Sequence, residues 1–211
     1  GIDGSADLDD SHNDSVTFNS VYQMNLNTSF TGDDNLYVRL KGGEWADQWQ
    51  MKGSTYHIDA KDNADANGNI KLAVDKLWYT FPIGGNITAT VGPKIENYYM
   101  LAATPSVYKP GALKAFKLGG NSNFGASTDV GFGFKYEADN GFAIASNIVD
   151  KNADGNGFFQ NDSVSKWDTQ FAYTKDRYHL SLTFSNAQNW TSQLYNATAL
   201  GENTATDSMG Y

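Results

Sequence analysis

A run of lysines within one long connection is the first feature of this sequence that could carry chemistry. Residues 94–126 are locally basic although the chain has a net charge of −9, and their only acid is Glu96. The lysines in the middle of this connection are Lys109, Lys114 and Lys117. Charges on a loop that lines a pore select ions through their field. If the strands enclose a pore and this loop folds into it, the lysines would form a constriction that favours anionic or polar solutes. The alternative is an exposed loop with ordinary surface lysines.

A second set of polar residues alternates with apolar residues along the predicted strands, so its members face away from the apolar side. They are Arg39, Lys41, Lys76, Lys135, Glu137, Asp168 and His179. If the strands curve into a barrel, charges of both signs would face each other across water. Such an arrangement creates a transverse field that orients dipolar solutes. The sequence therefore predicts that this set lines a pore, while the alternative for each residue is that it merely solvates the inner wall.

A third constellation has the beginning of a calcium-binding loop. Asp150, Asn152 and Asp154 place oxygens at the first, third and fifth positions, and Gly155 follows at the sixth. The twelfth position is Asn161 instead of the bidentate carboxylate that such a loop requires. The sequence leaves two readings open, a structural calcium site or a hydrophilic loop, and it predicts no other cofactor.

The residue types needed for enzyme chemistry are scarce. The sequence contains no cysteine, three histidines, and neither an HExxH nor a GxSxG motif. His179 near Asp168 or Asp176 could imitate a catalytic pair, but a single histidine among polar residues is more often part of a polar lining. We therefore predict that the protein is not an enzyme.

Strands must position these residues, because a period of two dominates the hydrophobic pattern. Between Val16 and Phe30 apolar residues occupy alternate positions, a run much longer than the usual strand of about five or six residues. About eight such runs follow one another, and no convincing helix appears. The run Ile70–Val74 is out of phase with Leu77–Phe81, which indicates either a β-bulge or a misplaced start of the strand.

The connections between the predicted strands alternate in length. Short turns rich in Gly, Asn and Asp alternate with long loops at residues 42–69, 95–127 and 150–163. Short turns at one end and long loops at the other are typical of outer-membrane β-barrels. The expected organisation is a disordered acidic arm at residues 1–15, barrel strands at 16–190, and an irregular tail or further loop at 191–211.

Composition fits a barrel better than the other classes. An acidic chain with a pI near 4.6 argues against a nucleic-acid partner, and a mean hydropathy of −0.51 without a long apolar run argues against a transmembrane helix. Aromatic residues nevertheless make up 14% of the chain. Aromatic rings near the strand ends on the apolar phase are typical of the girdles at the two membrane surfaces. The alternative is that these rings fill the core of a β-sandwich.

Several segments occur in an order that resembles cyanobacterial outer-membrane porins of the carbohydrate-selective, OprB-like family, also called iron-uptake porins. The segment Asp75–Gly84, DKLWYTFPIG, is followed by Ile87–Gly92, and it resembles a paired-strand signature of that family. The other matching segments are Asn25–Gly32 with Leu36–Leu40, Gly155–Asn161, and Tyr173–Leu182.

The resemblance implies a location in the bacterial outer membrane, contact with its lipid, and a homo-oligomeric assembly. It also implies passive diffusion of small hydrophilic solutes, with sugars, inorganic ions and iron as the cargo. Relatives carry a peptidoglycan-binding region that this chain lacks, and their barrels have more than eight strands. Eight strands close around a lumen that side chains fill. We therefore expect an all-β, antiparallel transmembrane β-barrel whose eight or so visible strands belong to a larger barrel. The alternative is a soluble or small-barrel β-protein that binds carbohydrate or a surface partner and does not conduct.

Overall fold

The structure is a computed structural model that describes residues 21–43, 70–103, 128–189 and 208–210. Its strands are β1 (Val21–Thr28), β2 (Asn35–Gly43), β3 (Ala73–Gly84), β4 (Ile87–Ile95), β5 (Asp129–Glu137), β6 (Phe142–Asp150), β7 (Ser165–Lys175), β8 (Tyr178–Gln188) and β9 (Ser208–Gly210). The described helices are a 3₁₀ turn at Asn97–Met100 and a single α-helical turn, α1, at Ala153–Asn156. None of the described helices has the length and apolar character needed to cross a membrane.

The strands form one antiparallel sheet in which each strand pairs with its neighbours in sequence. This arrangement confirms the prediction of an all-β antiparallel fold. Within the described residues β1 pairs only with β2, and β9 pairs only with β8, so the described sheet is open at both edges. The last described strand, β9, lies within residues 191–211. The sequence shows no alternation there, because three residues are too few to produce a periodic signal.

The two ends of the sheet differ in their connections. The turns at residues 29–34, 85–86, 138–141 and 176–177 lie at one end, and the segments 44–72, 96–128, 151–164 and 189–207 leave from the other. The turn between β3 and β4 can be this short because Gly84 and Gly85 have φ values of 119° and 55°, a conformation that favours glycine. Each long connection therefore starts and ends on the same side of the sheet.

The out-of-phase run before β3 corresponds to a bulge. Arg39 is opposite Lys76 and Leu40 is opposite Val74, which leaves Asp75 without a place in the β2–β3 ladder. Of the two explanations that the phase of the apolar residues leaves open, the structure shows the bulge. The bulge turns the Asp75 carboxylate towards the guanidinium of Arg39, and the two form an ion pair.

The turn between β1 and β2 is organised around one carboxylate, that of Asp34. Its oxygens accept hydrogen bonds from Ser29 Oγ at 2.6 Å, Thr31 Oγ1 at 2.8 Å and Tyr79 Oη at 2.6 Å. The backbone N–H groups of Phe30 and Thr31 also donate to it. The hydrogen bonds from Ser29 and Tyr79 hold the pKa of Asp34 well below its ordinary range. The charged form of Asp34 therefore stabilises the fold.

We expect the stability of the protein to fall at acidic pH in a manner that depends on Asp34. Because the pKa of Asp34 is lowered on folding, its contribution is complete above the ordinary aspartate pKa of about 3.9 and is lost progressively below it. Urea unfolding of the wild type and Asp34→Asn should show the variant to be less stable at pH 7, with the difference narrowing below about pH 4. A difference that is the same at both pH values would contradict this role.

Candidate functional site

On β7 and β8 the apolar side chains are exposed and alternating polar side chains are buried, which is the reverse of the pattern in a water-soluble β-protein. On β8, Leu180, Leu182 and Phe184 are 67%, 50% and 42% exposed, whereas the alternating Thr183 and Ser185 are buried. The same inversion holds on β7, where Trp167 and Phe171 are exposed and the alternating Asp168 and Gln170 are fully buried. The apolar phase predicted from the sequence is therefore the exposed face of these two strands. The polar phase is buried at Asp168, Gln170, Thr183 and Ser185, whereas Ser181 near the short turn is exposed.

Exposed apolar side chains also occur on other strands of the sheet. Its other large exposed side chains include Tyr22, Met24, Leu26, Val74, Val91, Phe134, Tyr136 and Phe142. Isolated exposed apolar residues are common on protein surfaces, but exposed apolar residues grouped on one face mark contact with an apolar medium or partner.

Aromatic rings collect at the ends of this exposed face. Near the short turns lie Phe30, Tyr79, Phe81, Tyr136, Phe142, Tyr173 and Tyr178. Neighbouring rings in this row contact one another, with centroids 6.0 Å apart for Phe30 and Tyr79 and 5.2 Å apart for Tyr79 and Phe81. Near the long connections, Trp167 and Phe159 lie 6.4 Å apart. A row of aromatic rings therefore lies near the short turns, and a pair of rings lies near the long connections.

The beginning of the 96–128 connection folds over the polar face. We call residues 96–103 the inward segment. Asn97, which is fully buried, donates from Nδ2 to Asn147 Oδ1 at 2.8 Å and to the carbonyl oxygen of Lys166 at 3.0 Å. The inward segment is thereby bound to β6 and β7, and not to the end of β4 alone.

The far end of the inward segment is held by Gln170 of β7. Gln170 Oε1 accepts a hydrogen bond from the backbone N–H of Ala103 at 2.8 Å, and its Nε2 donates to the carbonyl oxygen of Ala103 at 2.9 Å. Nε2 also donates to Thr183 Oγ1 of β8 at 3.1 Å. Gly133 of β5 leaves room for the segment, because a Cβ atom there would lie only 3.1 Å from Met100 Sδ.

Four stacked aromatic rings join the inward segment to β2 and β3. Tyr37 and Trp78 have centroids 4.2 Å apart, Trp78 and Tyr99 4.6 Å, and Tyr99 and Tyr98 4.2 Å. Trp78 is buried in a small cluster with Ile95 and other apolar residues. Burial, with a smaller effect from the Glu96 carboxylate, raises the pKa of Tyr98, so its phenol stays neutral. With Ile95, Met100 and Val149 beside Trp78, these rings form an apolar contact between the inward segment and the sheet.

Most predicted pore-lining cations have a carboxylate partner close to them. Arg39 pairs with Asp75, Lys76 Nζ lies 2.5 Å from Glu96 Oε2, and Lys135 Nζ lies 2.9 Å from Glu137 Oε2. These pairs run along the wall and do not face each other across an opening. Their fields therefore cancel over short distances, which weakens the transverse field that the sequence pattern suggests.

The remaining predicted lining residues have polar neighbours on the same face. Ser185 Oγ donates a hydrogen bond to Asp168 Oδ1, and His179 Nδ1 lies 2.8 Å from Thr174 Oγ1. Lys41 is buried near the end of β2. The three lysines predicted to form a constriction, Lys109, Lys114 and Lys117, lie outside the described residues.

Two of the three residues with calcium-loop spacing, Asp150 and Asn152, form hydrogen bonds within the loop. Asp150 Oδ1 accepts a hydrogen bond from the backbone N–H of Asn152, and Asn152 closes the loop through Val164 N and the carbonyl oxygen of Asp162. Asp154 is exposed on α1. In the part of the chain that the structure describes, no three acidic or histidine side chains are grouped as a metal would need. The amide of Asn152 serves to shape the loop.

A small cleft lies between the inward segment and strands β3 to β5. Its volume is about 70 Å³, and its polar lining is provided by Thr80, Thr88, Thr90, Tyr99 and Lys135. Thr80 Oγ1 and Thr90 Oγ1 lie 3.1 Å apart. A cleft of this size holds water or a small ion, so it is too narrow for a sugar ring.

The sequence does not single out the residues that attach the inward segment, namely Glu96, Asn97, Asn147 and Gln170. Asn147 and Gln170 are on the predicted polar phase, and Glu96 is the only acid of a basic connection. That isolated acid is the one signal that could have indicated a contact with a cation of the sheet. Asn97 has no comparable signal, because an asparagine in a loop is ordinary.

Comparison with known proteins gives one similar protein of unassigned role. The chain is 30% identical over 121 residues to an uncharacterized protein of Synechocystis sp., a match that covers 54% of this chain and 21% of the relative. The chain thus spans about a fifth of the length of the relative that it matches. No known protein family and no solved structure matches the chain.

Proposed function

We propose that this chain forms part of the wall of an outer-membrane channel that passes small hydrophilic solutes by passive diffusion. The observation that carries the proposal is the inversion on β7 and β8, where large apolar side chains are exposed and the alternating Asp168, Gln170, Thr183 and Ser185 are buried. In water this arrangement would cost free energy on both faces, because apolar area stays hydrated while polar groups are desolvated. In lipid the exposed face is satisfied, which is the pattern of a transmembrane β-barrel.

The covered face has the chemistry of a hydrated interior. Among its fully or nearly fully buried polar atoms, Asn97 Oδ1, Asn147 Nδ2 and Asp168 Oδ2 have no hydrogen-bonding partner within the described protein. Buried polar groups are almost always hydrogen-bonded, to protein or to water. Because these atoms are themselves buried, individual water molecules held beside them would supply the missing bonds.

The open edges of the described sheet bear on the size of the barrel. Within the described residues the outer edge of β1 pairs with no other strand, and each unpaired backbone group costs several kcal/mol in hydrocarbon. A channel built on this sheet therefore needs further strands to close it. Closure by additional strands gives a barrel wider than eight strands, which is the width that an aqueous lumen requires. This agrees with the larger barrel that the family resemblance implies.

The solutes follow from that resemblance and from the polar face. Sugars, inorganic ions and iron are the cargo that it implies, in a homo-oligomer in the bacterial outer membrane. The cationic lysines of the 96–128 connection favour anionic or polar solutes among them. The channel needs no cofactor and carries out no enzymatic reaction.

Reconstitution tests this function directly. We expect the purified chain to require detergent for monodispersity and to give stepwise conductance in a planar lipid bilayer, rising with the conductivity of the salt solution. Heat-denatured protein in the same detergent is the control, and it should give no steps. A chain that remains monodisperse without detergent and gives no steps would contradict the channel. That result would instead favour a non-conducting β-protein that binds carbohydrate or a surface partner.

A further inference from the structure

Lys76 of β3 connects both ends of the 96–128 connection. Its side chain is 1% exposed, and its Nζ lies 2.5 Å from Glu96 Oε2 at the start of the connection. The same Nζ donates to Thr128 Oγ1 at the end of the connection, at 3.5 Å. Thr128 Oγ1 in turn donates to Glu96 Oε1 at 3.0 Å. The three side chains form a closed triangle that joins the two ends at one ammonium group.

The charges around Lys76 make this contact specific. Arg39, directly opposite Lys76 in the β2–β3 ladder, is engaged by the bulged Asp75. The carboxylate within ion-pair distance of Lys76 is that of Glu96. The Lys76 ammonium also lies 5.1 Å from the centroid of the Tyr99 ring, within the inward segment. Removing one partner of a buried ion pair destabilises a protein strongly, because it leaves an uncompensated buried charge. The pair therefore holds the Glu96 side chain at the Lys76 ammonium.

We propose that Lys76 is a positioning residue of the channel, which fixes the inward segment across the polar face and so sets the width of the open path. This inference rests on the proposed function, since it assigns a role within the same channel. Asn97, Gln170 and the four stacked rings attach the segment at further points, but the Lys76 ammonium is the group that contacts both ends of the connection. The segment is accordingly a fixed part of the wall.

The proposal differs from the role that the sequence pattern suggests for Lys76. A free lysine in the lining would attract anions, so its removal would shift selectivity towards cations. Removal of Glu96 would then shift selectivity the opposite way. A positioning role predicts instead that Lys76→Met and Glu96→Gln act in the same direction, since either substitution breaks the same triangle.

Single-channel recording separates the two roles. Lys76→Met and Glu96→Gln should both raise the unit conductance, and the exchange variant Lys76→Glu with Glu96→Lys should return it towards the wild-type value. Lys175→Met is the matched control, because Lys175 is an exposed lysine at the end of β7 near a short turn, and its conductance should not change. Opposite shifts of the reversal potential in the two single variants, with unchanged conductance, would overturn the positioning role.

Hydrogen exchange provides a readout that does not depend on conduction. The amide of Tyr99 donates to the carbonyl oxygen of Glu96 at 3.1 Å, and that of Ala103 donates to Gln170. Both amides should exchange faster in Lys76→Met and in Glu96→Gln, on the order of tenfold or more, and should be protected again in the exchange variant. If exchange responds in this way but no conductance is found, the attachment stands and the channel function fails. If exchange is unchanged in both single variants, the attachment is refuted whether or not the protein conducts.

Discussion

Leu182→Arg should strongly impair insertion of the protein into lipid, whereas Ser181→Arg, at the adjacent position, should not. Leu182 lies in the middle of β8 on the exposed apolar face, opposite Phe171 of β7. An arginine on the lipid face of a barrel costs about 2–4 kcal/mol near the middle of the membrane. Ser181 is on the polar phase and is itself exposed, so an arginine there reaches water.

The contrast between these two positions distinguishes lipid from water as the surroundings of the outer face. In water, replacing an exposed leucine by arginine changes stability by roughly ±0.5 kcal/mol, since nothing is buried or unpaired. The measurement is the free energy of unfolding in urea after folding into lipid vesicles, together with the folded fraction on a gel. Equal stabilities of the two variants in vesicles would show that Leu182 does not face lipid.

The triple substitution Lys109→Glu, Lys114→Glu and Lys117→Glu should reverse the ion preference of the channel. These three lysines belong to a connection with one acid, so the change replaces three positive charges by three negative ones. Arg39, Lys76 and Lys135 are paired with carboxylates and so contribute little net field, whereas no acid lies near these three lysines in the sequence. The reversal potential under a salt gradient should therefore change sign.

A control for this experiment keeps the positive charge and alters only the geometry of the charged group. Replacing the same three lysines by arginine preserves the positive charge and should preserve the anion preference. High salt should reduce the preference in both proteins, because ions screen exposed charges. An identical reversal potential in the glutamate variant and the wild type would show that these lysines lie away from the conducting path.

The strands could be predicted from the sequence because the alternation that defines them is a local pattern. The alternation of apolar and polar residues in runs such as Tyr178–Phe184 assigns each side chain to a face, whatever medium lies outside. The alternation therefore places the apolar residues of each strand on one face of the sheet. The bulge at Asp75 was also predictable, since one extra residue shifts the phase of all the residues before it.

The attachment of the inward segment could not be predicted, because its contacts are not local. Asn97 and Asn147 are far apart in sequence, and so are Ala103 and Gln170. Alternation shows that Gln170 faces the polar side but not which backbone it binds. Only the spatial arrangement of β6 and β7 beneath the 3₁₀ turn supplies that information.

The ion pairs show the same limit for the candidate site. From the sequence, Arg39, Lys76 and Lys135 are equivalent cations on one phase. In the structure Lys135 pairs within its own strand, Arg39 pairs with a bulged residue of the next strand, and Lys76 pairs with a residue beyond β4. Their roles differ because their partners differ, and those partners depend on the register and on the path of the connection.

The pairing of each strand with its neighbour in sequence determines the order in which the sheet can form. Closing a chain loop costs conformational entropy that grows with the logarithm of its length, about 0.6 kcal/mol for each doubling. The hairpins β1–β2, β3–β4, β5–β6 and β7–β8 close over short turns, whereas joining one hairpin to the next closes a long segment. We infer that folding begins with four hairpins and that their association is the slower step. Lys76, which joins the second hairpin to the strand that opens the third, makes its contacts at that later step.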